Sequence, residues 1–423
     1  MKKLKVGVFG IKRGATFAHL FDMNPHTELS AICDADELAV KQFLGDRKEV
    51  AVYSDYDKFL EHDLDIVVLC NYCTEHAPAA IKALNSGRSV LSEVIACKTL
   101  AEGVELCRTV EKTGKHYMLA ENYCYFSYTQ EMKRLYEEGV IGEYLYGECE
   151  YVHDCRPIFH LLTSGKDHWR NWIPATYYCT HSLGPIITIT KTRPVKVVGF
   201  VVPNKLSREV GRVGDDWGVF VCIMDNSAVT RVIPWSTGPR DSIWYRIHGT
   251  KGAMENNRLR DTDVLNIFTI EATPELEYKE NEKSYRPEFR KYQEEARKFG
   301  HGGSDFFVVW EFVDSIIKGE KPPIDVYMAM DMTLPGILAY RSAYMGNIPI
   351  EVPDFRKEEV RKQYENDHWS PDPKDKHLPN QPTPSVLGEI EIPEEIYRKL
   401  DEKRRKVRME YEKAIEVDKG AKD

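Results

Sequence analysis

The sequence predicts an α/β architecture: an N-terminal doubly wound parallel sheet, then an α+β domain whose sheet is largely antiparallel. Two patterns carry that expectation. From Lys5 to about Leu119, short β-branched runs alternate with amphipathic stretches, the signature of β-α-β units joined by right-handed crossovers. Beyond Glu121 the strands adjoin through tight turns, which is antiparallel geometry. In the first region the strands fall at Val6 to Phe9, Leu29 to Cys33, Val50 to Tyr53, Ile66 to Cys70, Ser89 to Ser92 and His116 to Leu119, with helices between them. In the second, a helix covers about Thr129 to Gly139. Strands follow at Leu145 to Val152, Val195 to Val202, Gly218 to Met224 and Ala228 to Pro234, the last two joined by Asp225-Asn226-Ser227. Gly302 to Lys318 and Asp325 to Tyr344 read as helices. After Pro353 the chain turns proline-rich and strongly charged and ends in a helix near Pro393 to Glu416, an arm packed on a surface or on a neighbouring subunit. The implied domains are 1–122, 123–352 and a charged extension, 353–423.

Composition narrows the function. A chain of 423 residues holds two or three domains. Its 58 Lys and Arg against 67 Asp and Glu leave a net charge of -9, which repels nucleic acid and anionic membrane surfaces, so neither is an expected partner. No apolar run approaches the roughly 18 to 20 residues that span a bilayer, and the start MKKLKVGVFG passes from charge into a strand, so no anchor or secretory signal is expected. Ten cysteines are scattered without the spacing of a disulfide framework, which fits reduced thiols in the cytoplasm. Cys70 and Cys73 form one C-x-x-C, and Cys149 and Cys155 lie near His153, but no second ligand pair follows, so no metal is expected.

The first strand runs into Gly10-Ile11-Lys12-Arg13-Gly14-Ala15, the place where a Rossmann unit carries its glycine fingerprint, and Asp34 closes the second strand. Gly10 permits the tight turn, and the following helix N-terminus offers its amides to a pyrophosphate. Lys12 stands where the second glycine is expected. Asp34 is placed to accept from an adenosine ribose diol and would repel a 2′-phosphate, which favours NAD over NADP; an Asp ending a strand is also a common cap.

Farther along, Asn71 and His76 of Leu69-Cys70-Asn71-Tyr72-Cys73-Thr74-Glu75-His76, and Glu93 at the end of Ser89 to Glu93, match the A-T-P-N-x-x-H and E-K-P segments of the Gfo/Idh/MocA oxidoreductases. His248-Gly249-Thr250-Lys251-Gly252 resembles that family's G-T-x-G turn, and the resemblance covers about residues 4 to 352. The lysine of E-K-P is Val94 here. Instead Ser92 to Cys97 resembles the E-V-P-A segment of one branch, the NAD-dependent α-N-acetylgalactosaminidases. Further segments resemble that branch in order: Leu119 to Tyr125, Glu150 to Arg156, His168-Trp169-Arg170, Tyr178 to Pro185 and Gly300 to Phe306. Cys179, Ser182 and Ser304 depart from its motifs, and the stretch from Arg156 to Tyr178 is shorter, departures that bear on the substrate more than on the chemistry.

The resemblance implies an enzyme with NAD as cofactor, held by Gly10, Lys12, Arg13, Gly14, Asp34, Asn71, His76, Glu93 and Asn122. It implies a redox-neutral glycoside hydrolase: oxidation at C3, removal of the C2 proton, β-elimination at C1, water addition and re-reduction. Tyr151 is then the candidate base at C2, His181 and Tyr178 lie near the C3 hydroxyl, and Arg156, Trp169, Arg170 and His301 contact substrate. A phenol is a weak base without a cation beside it, a part open to His153 or Arg156. His301 and Asp305 open a helix, where capping competes with a substrate role. Five tryptophans, 169, 172, 217, 235 and 244, offer sugar-stacking faces or ordinary core. The resemblance also implies a homo-oligomer, dimer or tetramer, paired through the outer sheet face. The rival readings are an NAD-dependent sugar or cyclitol dehydrogenase and an inactive sugar- or nucleotide-binding protein.

Overall fold

A computed structural model describes residues 2–45, 47–275 and 277–420 of the chain. Its first sheet has six parallel strands in the order β3-β2-β1-β4-β5-β6: β1 (Leu4–Phe9), β2 (Thr27–Cys33), β3 (Ala51–Tyr53), β4 (Ile66–Leu69), β5 (Ser89–Ser92) and β6 (Tyr117–Leu119). Every expected strand is present within a residue or two of its expected ends. β4 and β5 are buried at each position, as strands covered by helices on both faces must be. The order reverses between β1 and β4, so a crevice opens beyond their carboxyl ends.

The second sheet has nine strands: β7 (Tyr144–Val152), β8 (Pro194–Val202), β9 (Trp217–Met224), β10 (Val229–Ser236), β11 (Ser242–Gly249), β12 (Gly252–Asn256), β13 (Leu265–Ala272), β14 (Tyr278–Tyr285) and β15 (Ile350–Glu351). Their order is β14-β13-β12-β11-β7-β10-β9-β8-β15. β7 and β10 pair in parallel and all other neighbours are antiparallel. Sequence pattern did not single out β11 to β15; β14 is exposed at every position but its last and shows no apolar alternation. Along β7 the alternation divides the chemistry. Cys149 and Tyr151 face the inner helices, whereas Glu148 and Glu150 meet Arg231 and Arg258 on the other side.

Two helices press on the inner face. Val326–Tyr344 is capped by Asp325, which accepts from the Tyr327 and Met328 amides, and lies so close to β8 that a Cβ at Gly199 would meet the Ala339 carbonyl oxygen at 1.9 Å. The other, Thr180–Thr190, is buried at all positions and contains Pro185. Gly184-Pro185, a pair that ordinarily marks a turn, therefore lies inside a helix. Pro185 cannot donate to the carbonyl four residues back, and that carbonyl, of His181, accepts instead from the Tyr245 hydroxyl at 2.5 Å. The lost helical bond is replaced, so the proline persists and the backbone at His181 is tied to β11.

The arm after Pro353 is tied to both domains. Lys98 pairs with Asp372 at 2.8 Å and Asp375 at 3.0 Å, Arg341 grips Asp367, and Ser385 donates to Asp215. The last helix is Glu394–Gly420. Among the described residues no helix is long and apolar enough to cross a membrane.

Candidate active site

At the crevice, Gly10 lies at φ 91°, and a Cβ there would meet the Cys70 carbonyl oxygen at 2.4 Å, so only glycine lets β1 turn this close to the end of β4. The helix that follows, Ile11–Met23, has no capping side chain on Gly10. Asp34 accepts from the Ile11 amide and from the Asp36 amide, each at 2.8 Å, so it fastens the end of β2 to the turn while two carboxylate oxygens retain lone pairs for a ribose. Lys12 reaches Asp36 at 3.0 Å. The Oδ1 atoms of Asn71 and Asn122 are buried without a partner. A glycine cradle, the helix amides that follow Ile11 and orphaned amide oxygens fit a dinucleotide's phosphates and hydroxyls.

Arg13 is engaged elsewhere. Its Nε donates to Glu93 at 2.6 Å, and its two terminal nitrogens donate to both oxygens of Asp305, at 3.0 and 2.9 Å. Asn122 and His301 complete the cluster around Asp305, at 2.9 and 3.0 Å. Burial pushes the Asp305 carboxyl up, but hydrogen bonds from His301 and Arg13 and the Arg13 charge hold it well below the usual carboxylate range. Asp305 is thus neither the cap of helix Ser304–Lys318, whose N-cap is Gly303, nor free for substrate. It locks the turn between β1 and the first helix to the second domain. His76 is buried behind β4, with Nδ1 3.0 Å from the Ile95 carbonyl and Nε2 3.3 Å from that of Asn71, so it braces the crevice wall.

Beside this cluster lies a chamber of rings. His181 stacks on Tyr123 at 4.2 Å between centroids and meets Tyr151 at 4.8 Å and Tyr178 at 5.1 Å edge-on. The first helical turn of Thr180–Thr190 carries His181, β7 carries Tyr151, and the segment after β6 carries Tyr123. His181 Nδ1 lies 2.8 Å from Glu121 Oε1. Glu121 is fully buried and its other oxygen has no partner. That contact fixes the imidazole so that Nε2 is the nitrogen left for a ligand.

The phenols are protonated in this setting. Burial pushes Tyr151 well above its ordinary value and Tyr178 up to about 12, while the charge of Arg170 acts in the opposite direction on both. Arg156 does not serve Tyr151; it binds Asp154 at 2.8 Å and Glu209 at 3.3 Å. His153, with its ring 5.9 Å from Tyr151, is raised to about 9 by a Cys155 hydrogen bond and by Asp241, and so stands as a second cation. Trp169 and Trp235 flank Tyr178 at 6.5 and 6.1 Å, and Arg170 lies 4.2 Å over Trp169. Trp172 and Trp244 are core. The departures Cys179 and Ser182 are buried in helix packing, Cys179 donating to the Met332 carbonyl and Ser182 to that of Cys179, so they do not line the chamber.

Sequence reasoning named Tyr151, Tyr178 and His181, which the fold brings together, but assigned no role to Glu121 or Tyr123 and read Asp305 as cap or substrate contact. Glu121 had one available signal: it sits in the Leu119 to Tyr125 motif directly after a buried strand, where an unpaired carboxylate is costly.

Comparisons with known proteins bear on both halves. Residues 4–121 match the family model described as oxidoreductase family, NAD-binding Rossmann fold, and residues 219–362 match the glycosyl hydrolase 109 C-terminal domain. A glycosyl hydrolase family 109 protein of Solibacter usitatus is 27% identical, the match covering 84% of this chain and 88% of that protein. An alpha-N-acetylgalactosaminidase of Shewanella oneidensis is 26% identical over 84% of this chain and 86% of its own. Among solved structures, an oxidoreductase domain protein from Kribbella flavida (TM-score 0.70, 22% identity) and levoglucosan dehydrogenase with NADH and levoglucosan (TM-score 0.69, 20% identity) each share the fold over 84% of this chain and 100% of theirs. Residues 4–121 thus form an NAD-binding Rossmann domain of the Gfo/Idh/MocA type, and within the second domain residues 219–362 match the glycosyl hydrolase 109 C-terminal domain.

Proposed function

We propose that the chain is an NAD-dependent glycoside hydrolase with a redox-neutral cycle. The observation that carries this reading is the buried Glu121–His181 pair enclosed with Tyr151 and Tyr178 at the dinucleotide crevice, where the family's lysine is replaced by buried Val94. Gly10, Asp34, Asn71 and Asn122 would hold NAD, which when bound would supply hydride transfer to and from sugar C3. His181, oriented by Glu121, receives the C3 hydroxyl proton through Nε2 as the hydride leaves, giving a C3 ketone. The ketone acidifies the C2 proton; Tyr151, protonated in the resting site, takes it once its own proton has passed to solvent, with the Arg170 charge acting to favour the phenolate. The electron pair from C2 expels the C1 oxygen, which leaves as the aglycone alcohol on gaining a proton. Water oxygen then bonds to C1 and gives up one proton, which replaces the one the aglycone took, while Tyr151 protonates C2 and His181 returns a proton to the C3 oxygen as C3 regains its hydride, so the net change is hydrolysis. Tyr178, Trp169 and Arg170 shape the sugar pocket, whereas Arg156, bound to Asp154 and Glu209, positions the loop after β7.

This reading places the enzyme in the cytoplasm, where its ten free cysteines stay reduced. It also takes a homo-oligomer paired through the outer face of the nine-stranded sheet, where Phe200, Ile223 and Val229 are exposed.

The test is the oxidation state of the cofactor supplied. Protein loaded with NAD should release aglycone from a nitrophenyl glycoside with no NADH accumulating, and the same protein stripped or loaded with NADH should not. Equal release from the NADH-loaded or stripped protein would overturn the redox-neutral cycle.

A further inference from the structure

The terminal helix runs across the mouth of the dinucleotide crevice. At its start, the Tyr397 hydroxyl donates to the Gly211 carbonyl of the second domain at 2.9 Å, and a Cβ at Gly211 would meet the Tyr397 ring at 2.7 Å. Two turns on, Arg404 Nε donates to the His160 carbonyl at 3.1 Å. One turn later, Arg408 reaches Asp36 at 3.4 Å, the same carboxylate that holds Lys12 of the phosphate-binding turn. Eleven residues, about 16 Å of helix, thus link the second domain to the end of β2, where the adenosine half of a dinucleotide lies. Tyr72 closes the neighbouring stretch from the Rossmann side, with its ring 4.8 Å from His168 and its hydroxyl 3.4 Å from Ser164.

The surroundings are cationic. His168 is pushed down to about 3 by burial and by Arg170, Arg404 and Lys12, so three positive side chains and a neutral imidazole converge beside the turn. Arg170 is held over Trp169 and has no carboxylate partner among the described residues. Lys12 already pairs with Asp36 at 3.0 Å and Arg404 with Asp401 at 2.6 Å, so Arg170 is the cation of the three that the diphosphate of a dinucleotide would pair. The matched family models end at residue 362, before this helix begins.

We propose that the terminal helix is a strap that retains the dinucleotide through successive turnovers, with Arg404 and Arg408 closing over the turn that carries its phosphates. The advantage rests on the redox-neutral reading: a cofactor that regains its oxidised form in every cycle has no need to exchange.

The experiment measures loss of labelled NAD from the desalted holoenzyme into excess unlabelled NAD, with no substrate present. Three proteins are compared: the full chain, a chain ending at Ile392, and the full-length R404A/R408A variant, which keeps the helix and so reports even if the shortened chain folds poorly. The full chain should lose NAD about tenfold more slowly than the shortened one, a difference within reach of one charge-assisted contact, and the double variant should fall between. Added NAD should restore turnover to the shortened chain. Equal loss rates for the full chain and the folded double variant would overturn the strap. Because no substrate is used, NADH accumulating from free sugars would defeat the glycosidase reading and leave the strap decided by the loss rates alone.

Discussion

Tyr151→Phe should lower kcat by about 10²- to 10⁴-fold, the contribution of a positioned proton carrier, while NAD content stays at the wild-type level. The substitution deletes one oxygen and keeps the ring that packs against Tyr123, His181 and Tyr178. Core packing is therefore preserved, and the thermal midpoint should move little. His181→Ala should reduce kcat to a similar degree, but it also leaves the buried Glu121 without its imidazole hydrogen-bond partner, so part of its effect will appear as lost stability. The comparison separates the two roles. If Tyr151 were only core, the phenylalanine variant would turn over at the wild-type rate.

The largest effect on stability should come from Asp305→Asn. Asp305 has no exposed side-chain surface and joins Arg13, Asn122 and His301 across the domain boundary. Removing one partner of a buried ion pair leaves the other charge uncompensated, at about 3–5 kcal/mol. Arg13 is about a third exposed, with 31% of its side chain reachable by water, so the lower end of that range, about 3 kcal/mol, is expected in denaturant titration. The pH dependence has a definite sign. A carboxyl held below its unfolded value stabilises the fold above about pH 4 and loses that contribution as pH falls through the depressed folded value. The wild-type protein should therefore lose stability toward acid more steeply than the Asn variant, and parallel acid limbs for the two would contradict the latch.

Much of this was legible in the residues. The parallel sheet follows from β-branched runs at β-α-β spacing, and all six strands formed where the pattern placed them. The second sheet was legible only where its strands alternate. β14, a charged edge strand with almost no buried face, has no such signal. At the site, the motifs carrying Tyr151, Tyr178 and His181 identified residues that lie far apart in sequence and meet in the fold. What no local pattern could give was pairing. Arg13 belongs to a glycine turn and Asp305 to a helix start 292 residues away, and each looks like a phosphate ligand or a cap until the tertiary contact is seen. The helix through Pro185 depends on pairing as well: the helix-breaking preference of proline is overridden because Tyr245, on a distant strand, takes the carbonyl it leaves open.

The most direct measurement is hydrolysis of a nitrophenyl glycoside by the NAD holoenzyme in deuterium oxide, with the released sugar followed by mass and by proton NMR. The phenol of Tyr151 exchanges with solvent while the aglycone leaves and water enters, so the proton it returns to C2 is a solvent one and the expected product carries one carbon-bound deuterium, at C2. A released sugar with no carbon-bound deuterium would mean that the glycosidic bond is cleaved without loss of the C2 proton to solvent, and would contradict the cycle proposed for this chamber.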